Sequence, residues 1–300
     1  MMPLDNWDEI RTAYHVARAG TVSGAANALG VHHATVIRHV DALEERLGVK
    51  LFQRHARGYT ATEAGVDLLQ VAQATDDQFS QLAGRLRGRG DSVSGELLVT
   101  AIPGLSEFLV PCLARFQAQH PELVVRLLTD TRLFRLEYGE AHVAIRAGAA
   151  PEDPDNVVQP FLVQRHALYA AADYVARHGL PGGEAELAAH LFAGGDAAVA
   201  RVPFLRWLDE NVPRERIVFR SDDLRTLEEA VLSGAGLGFL PRHVAARHAG
   251  LTEVLPARAA WDAPLWLVTH MDLHRSLKVQ RFVAHLKADA EGWPLSKPKS

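Results

Sequence analysis

Three residues between positions 26 and 36 constrain this chain more than any bulk property does. Ala26, Gly30 and Val36 stand four and six apart, and each is the residue type that a close helix crossing needs. A small residue lets two helices approach, a glycine takes positive φ in the turn between them, and a branched apolar residue fills the far side. The surrounding periodicity predicts three helices. Trp7, Ile10, Tyr14 and Ala17 recur at helical spacing over residues 5 to 19, with Asp5 as cap and Gly20 as stop. Ser23 is expected to cap a short second helix carrying Ala25, Ala26 and Leu29, which Gly30 ends. A third runs from about His33 to Leu47, with Val36, Val40, Leu43 and Leu47 as its stripe and Gly48 as its stop. Helix, helix, tight turn, helix is the helix-turn-helix order; an ordinary three-helix core is the other fold this spacing admits.

In a helix-turn-helix the last helix lies in the major groove, and residues off its buried stripe near its start face base edges. Those are His32, His33, Thr35, Arg38 and His39, with Ser23 at the start of the preceding helix. Arg38 has the fork that pairs with guanine, while Thr35 and the histidines suit bases or phosphates. A metal site at His32 and His33 is set aside, because neighbours on a helix point apart and no third ligand is evident. The stretch VKLFQRHARGYTAT then reads as two short strands about a turn at Arg57 and Gly58, with Leu51 and Phe52 packed beneath. Its tip, holding Arg54, His55 and Arg57, suits phosphate contact; a solvated loop is the alternative, and the adjacent helix-turn-helix favours a wing. Residues 1–61 are therefore expected to form a winged helix-turn-helix domain for double-stranded promoter DNA.

The net charge of −4 speaks against nucleic acid until its placement is considered. Residues 31–62 hold five Lys or Arg against three acids, with four histidines among them, whereas residues 91–300 hold 22 basic and 26 acidic side chains. The charge is segregated as a DNA reader with an acidic second domain requires.

The run GTVSGAANALGVHHATVIRHVDALEERLGVKLFQR, followed by TEAG, resembles the DNA-binding domain of LysR-type transcriptional regulators over some sixty residues. The AA pair, the LG before the third helix, LE within it, and LG, LF and R after it carry the resemblance. Ile37 stands where many members have serine. The resemblance implies promoter binding, a homodimer or homotetramer, and work alongside RNA polymerase.

From Thr60 or Thr62, with Thr60 and Glu63 at capping-box spacing, a long helix is predicted. Leu68, Ala72, Thr75, Phe79, Leu82 and Leu86 step by 4, 3, 4, 3 and 4, the seam spacing of a coiled coil. A helix over 62–87 would be about 39 Å long. The seam predicts a dimer helix; folding back on its own domain is the alternative. RLRGRGDSVSG reads as a hinge, so 62–90 is the linker.

Beyond Gly95, strands and helices alternate: GELLVTA, a helix over 105–119, LVVRLL, HVAIRA, RIVFR, a helix over 223–233, and GLGFLP. This predicts parallel sheets with helices on their faces and a ligand beyond the carboxyl ends of the strands. Four strand ends are candidates: Thr100, Ile102, Pro103 and Gly104; Leu128 to Thr131; Arg146 to Gly148; and Arg220 to Asp222, including Ser221. Amides near Pro103 and Gly104 and the Thr100 hydroxyl suit a carboxylate, and Arg146 offers a charge unless it pairs with Asp153. Ser221 is read first as the cap of the helix that begins near Asp222 and only second as a ligand contact. GELLVTAIPG, FQAQHPELVVRL, GEAHVAIRAG and SGAGLGFLP resemble the effector-binding domain of the same family, with His142 where aspartate is usual. The resemblance implies a two-lobed α/β domain like a periplasmic binding protein over 91–300. One lobe is expected at about 91–161 and 266–300, the other at about 162–265, with a small-molecule effector between them.

Two other classes compete with this reading. An enzyme would need a nucleophile elbow, phosphate loop or metal spacing, none of which occurs, and Cys112 sits among Leu109, Leu113 and Phe116 as a core residue. A single cysteine excludes an internal disulfide and any multi-cysteine zinc site. No cofactor is expected. A small-molecule binding protein without a DNA role leaves the first 90 residues unexplained. MMPLDNWDEI carries acids where a secretory signal carries Lys or Arg, and no apolar run approaches a membrane span, so a cytoplasmic protein is expected.

Overall fold

A computed structural model describes residues 6–55, 58–86, 93–129, 136, 141–196, 199 and 202–297. The three expected N-terminal helices are α1 (Trp7–Ala19), α2 (Val22–Leu29) and α3 (His33–Leu47). Gly20, Gly30 and Gly48 each end one in the left-handed region, with φ of 65°, 66° and 71°, the C-cap role that glycine fills without a Cβ penalty. The caps at the other ends differ from expectation. Asn6 caps α1, accepting from the Asp8 amide, whereas Asp5 lies outside the described residues. Thr21, not Ser23, caps α2, because its side chain receives the Gly24 amide and Ser23 is already inside the helix. The core of this domain joins Ile10, Tyr14, Ala25, Ala26, Val36, Val40 and Leu43, so the Ala26–Val36 crossing is real.

The wing is β1 (Phe52–His55) and β2 (Gly58–Ala61), antiparallel with Phe52 opposite Ala61. The Tyr59 amide donates to Gly20 O at 2.8 Å, pinning the wing to the α1–α2 turn. The linker helix α4 spans Glu63–Leu86. Thr62 caps it, receiving the Gly65 amide at 3.2 Å, while Thr60 is in β2, so the Thr60–Glu63 capping box does not form. At Gly65 a Cβ would stand 2.0 Å from Leu51 O, which fixes glycine where the wing meets α4.

The second domain has two lobes. The first holds β3 (Gly95–Ala101), a 3-10 turn at Pro103–Leu105, α5 (Ser106–Gln119), β4 (Leu123–Thr129), β5 (Val143–Ala147) and β6 (Asn156–Gln164). The second holds β7 (His166–Ala171), α6 (Ala172–His178), β8 (Phe192–Gly195), α7 (Pro203–Asn211), β9 (Ile217–Ser221), α8 (Leu224–Leu232), β10 (Gly238–Pro241), α9 (Arg242–Ala245) and β11 (Leu251–Leu255). The chain then returns to the first lobe as β12 (Ala263–His270), α10 (Met271–His274) and α11 (Leu277–Asp289).

The first sheet has the order β4-β3-β5-β12-β6. Its β4-β3-β5 part is parallel as expected, but β12 runs antiparallel to both β5 and β6. A strand that enters from the other lobe arrives from the opposite end, so the purely parallel expectation is corrected here. In the second lobe β8 and β9 are parallel, β7 is antiparallel to β10 and β11, and a bridge from Phe192 to Leu237 joins the two ladders. The chain crosses at Arg165 and again before Ala263, a few residues from the expected divisions at 161 and 265. Leu162 and Leu265 both belong to the first core, which explains the shift.

Candidate nucleic-acid interface and effector cleft

Val36, Val40 and Leu43 are fully buried under α3, and the opposite side carries His32, His33, Ile37 and Arg38 exposed, with Thr35 half-buried. His32 is the N-cap residue but makes no side-chain cap, so the first amides of α3 lack a side-chain acceptor. Arg38 has no ion-pair partner among the described residues. His39 is half-buried and differs from its neighbours. The Thr12 hydroxyl donates to Asp8 O at 2.6 Å, so it accepts from His39 Nδ1–H at 2.9 Å. One ring nitrogen of His39 thus braces α3 against α1, leaving Nε2 as the polar atom available elsewhere.

Sequence reasoning missed the residue that ties the wing to α3. Glu44 falls four after Val40, on the buried face of the stripe, and its side chain is only 1% exposed. Its Oε1 accepts the Leu51 and Phe52 amides at 2.9 and 3.2 Å, and its Oε2 accepts Lys50 Nζ at 2.7 Å and Arg54 Nη2 at 3.1 Å. Burial opposes ionisation, yet the bonds from Lys50, Leu51 and Phe52 outweigh it and hold the carboxyl below the ordinary range. Arg54 also pairs with Asp41 and lies over the Tyr59 ring at 5.3 Å. Its guanidinium therefore braces the wing internally, while the residue stays exposed beside His55. His55 is exposed; Arg57 lies outside the described residues. Ser23 is exposed on the first turn of α2.

The first half of the expected seam on α4 packs within the chain. Ala72 is buried and Leu68 half-buried in the core of the winged domain, because α1 packs against the first half of α4. Phe79 remains 51% exposed, its ring 5.4 Å from the Trp7 ring, which is also uncovered. The two flank a pocket of about 380 Å³ lined also by Arg11, Tyr14, Ala72 and Asp76. The side chains of Leu82 and Leu86 lie outside the described residues.

Parallel pairing brings the carboxyl ends of β3, β4 and β5 to one edge of the first lobe, with Ala101 beside Thr129 and Ile145. Pro103 and Gly104 are exposed there, Ile102 is half-buried as the cap of the 3-10 turn, and Arg146 is half-buried in β5. Thr100 departs from expectation: it is buried on the sheet face that Leu98 occupies, not open at the strand end. Thr131 lies outside the described residues. Ser221 ends β9 in the other lobe, where its hydroxyl accepts the Asp223 amide at 3.1 Å; Asp223, not Ser221, caps α8. Buried Gln164, which the sequence did not single out, places Nε2 closest to the open side of Gly104.

The lobes also meet directly. Glu107 on α5 pairs with Arg247 and has His243 Nε2 at 3.4 Å, with the Phe108 and His243 rings 5.2 Å apart. Burial, assisted by Arg247 and opposed by Glu107, keeps His243 below the usual imidazole value. At the crossover itself Arg165 Nε faces Asp262 Oδ1 at 3.5 Å, and buried His166 stacks on Phe204 at 4.1 Å. Among the described residues no helix is long and apolar enough to cross a membrane.

A winged helix-turn-helix followed by a two-lobed ligand domain defines a one-component DNA-binding regulator. The family profile described as the LysR substrate binding domain matches residues 90–291, and that of the bacterial regulatory helix-turn-helix protein, lysR family, matches residues 7–66. The chain belongs to the LysR-type family of transcriptional regulators, which pairs a DNA-binding domain with an effector-binding domain. It is 29% identical over 290 residues to the HTH-type transcriptional repressor PA14_22550 of Pseudomonas aeruginosa, covering 93% of this chain and 90% of that one. It is 37% identical over 141 residues to the transcriptional activator IlvY of Salmonella typhimurium, covering 46% and 48%. A full-length OxyR variant from Pseudomonas aeruginosa shares the fold with a TM-score of 0.71 at 20% identity, covering 97% of this chain and 98% of that one.

Proposed function

We propose that the exposed face of α3 reads base edges in promoter DNA, with Arg38 as the guanine reader and His32, His33 and Thr35 beside it. The observation that carries this reading is the opposition of buried Val36 and Val40 to exposed His33 and Arg38 on one helix. Ser23, His55 and Arg57 contact the phosphates, and His39 contributes through Nε2. Two copies join through the uncovered Trp7–Phe79 face, with Leu82 and Leu86 contributing as the seam spacing of the sequence predicts, and present two heads to an inverted repeat. A small-molecule effector binds near Ile102, Pro103, Gly104, Gln164, Thr131 and Arg146 and changes how the lobes sit on one another, which alters the spacing of the heads. The protein acts with RNA polymerase in the cytoplasm and performs no chemistry of its own.

The test uses the full-length chain and DNA from upstream of its own gene. Arg38→Ala should lose about 5- to 150-fold in affinity for the specific site while binding random DNA nearly as before, the signature of a lost bidentate base contact. Equal loss on both DNAs would refute the assignment.

A further inference from the structure

The α5–α11 interface of the first lobe gathers groups that DNA and effector binding leave unused. Cys112 is buried on α5, while His285 and Asp289, four apart, share one face of α11. One ligand atom from each residue lies within 4.8 Å of the other two. The carboxylate is already oriented: Trp293 Nε1 donates to Oδ2 at 3.0 Å, and Arg115 Nε and Nη2 donate to Oδ1 at 2.9 and 2.6 Å. His285 Nε2 lies 3.2 Å from the Cys112 carbonyl oxygen, so the ring sits against the helix turn that carries the thiol.

Sulfur, imidazole nitrogen and carboxylate oxygen together make a borderline donor set. Magnesium and calcium take oxygen ligands and avoid sulfur, and cuprous ion prefers sulfur without a carboxylate; zinc accepts all three. Donor atoms bound tetrahedrally at zinc distances stand about 3.3–3.8 Å apart, so the present triangle needs to contract by roughly 1 Å. Side-chain rotation on two facing helices supplies that much. The positive charge now facing Asp289 is the Arg115 guanidinium, on a side chain 54% exposed and able to swing into water.

We propose that Cys112, His285 and Asp289 form a site for a zinc-class divalent cation that clips α5 to α11, with water as the fourth ligand. Binding exchanges the thiol proton for the metal: the S–H bond breaks, a sulfur–metal bond forms, the proton leaves to solvent, and nothing is oxidised or reduced. Burial and then Asp289 push the Cys112 thiol up to about 12, with Arg115 opposing, so the metal must displace a proton that is firmly held.

The test is a titration of the full-length chain with Co²⁺, whose thiolate charge-transfer absorption reports a sulfur ligand. Cys112 is the single cysteine of the sequence, so that band identifies this site despite the 15 histidines. One equivalent of Co²⁺ should develop the band, and Zn²⁺ should bleach it. Cys112→Ala should abolish the band, and His285→Gln and Asp289→Asn, at half-exposed positions, should each weaken binding at least tenfold. Arg115→Ala should tighten it several-fold. Absence of the band in excess Co²⁺, or a band indifferent to both α11 substitutions, overturns the proposal. Co²⁺ absorption without a sulfur band that persists in Cys112→Ala also overturns it, as binding by surface histidines alone.

Discussion

Glu44→Gln isolates the bond network that fixes the wing against the recognition helix. Glutamine keeps a neutral oxygen for the Leu51 and Phe52 amides but loses the charge that strengthens both bonds, about 1 kcal/mol each. Its amide group also faces Lys50 and Arg54, donors that need an acceptor. Lys50 is mostly exposed and adds little, and the Arg54 bond adds roughly 0.5–1 kcal/mol, for a total of about 2–3 kcal/mol. At 1.4 kcal/mol per tenfold, local opening should become about 30- to 150-fold more frequent. Hydrogen exchange of the Leu51 and Phe52 amides at pH 7 measures it directly. Glu44 has a depressed folded pKa, so its contribution is present above the unfolded value near 4.3 and is lost as pH falls through the lower folded value. The ratio between variant and parent should therefore narrow below about pH 4. Equal protection of both amides in the two proteins at pH 7 would show that the carboxylate does not hold the wing.

Phe79→Asp places a charge on the uncovered Trp7–Phe79 face and should shift sedimentation toward a single chain, while an unchanged sedimentation coefficient at micromolar concentration would exclude this face from assembly. Burial pushes the Glu228 carboxyl up to about 7; Arg225 opposes this, Glu229 and Glu107 add to it, and Arg247 again opposes. The native state thus holds a proton that the unfolded chain gives up above about 4.3, and stability should fall as pH rises from there to about 7. Glu228→Gln removes that loss, so its melting temperature should exceed the parent's by a few degrees at pH 8 and match it near pH 4; an identical offset at both pH values would contradict the assignment.

The helix-turn-helix was readable because its determinants are local. Gly30 must turn, Ala26 must be small and Val36 must fill the gap, and all three lie within eleven residues. The caps were less readable: Thr21 and Ser23 are both good cap formers, and only the path of the chain leaving Gly20 decides between them. On α4 the same 4-3 spacing serves two partners. Leu68 and Ala72 cover α1 within the chain, while Phe79 stays uncovered, and a heptad pattern does not say whose surface it meets. Thr100 shares a strand face with Leu98, since alternate residues of a strand point the same way, and the strand GELLVTA does not itself tell which of its two faces the fold covers. Glu107 and Arg247, 140 residues apart, left no periodic trace at all. Glu44 did leave one, a lone acid on an apolar stripe, which signals that buried partners must exist.

The position of β12 has a consequence for synthesis on the ribosome. It lies between β5 and β6, so the first sheet stays split in two until nearly the whole polypeptide has been made. The stretch from His166 to Trp261, by contrast, is continuous and has its own core. The later-made lobe can therefore finish folding first, and the lobe that joins the DNA-binding half closes last. Truncation before Ala263 leaves that lobe without the strand that joins β5 to β6, so an incomplete chain yields a DNA-reading head with no intact body to govern it.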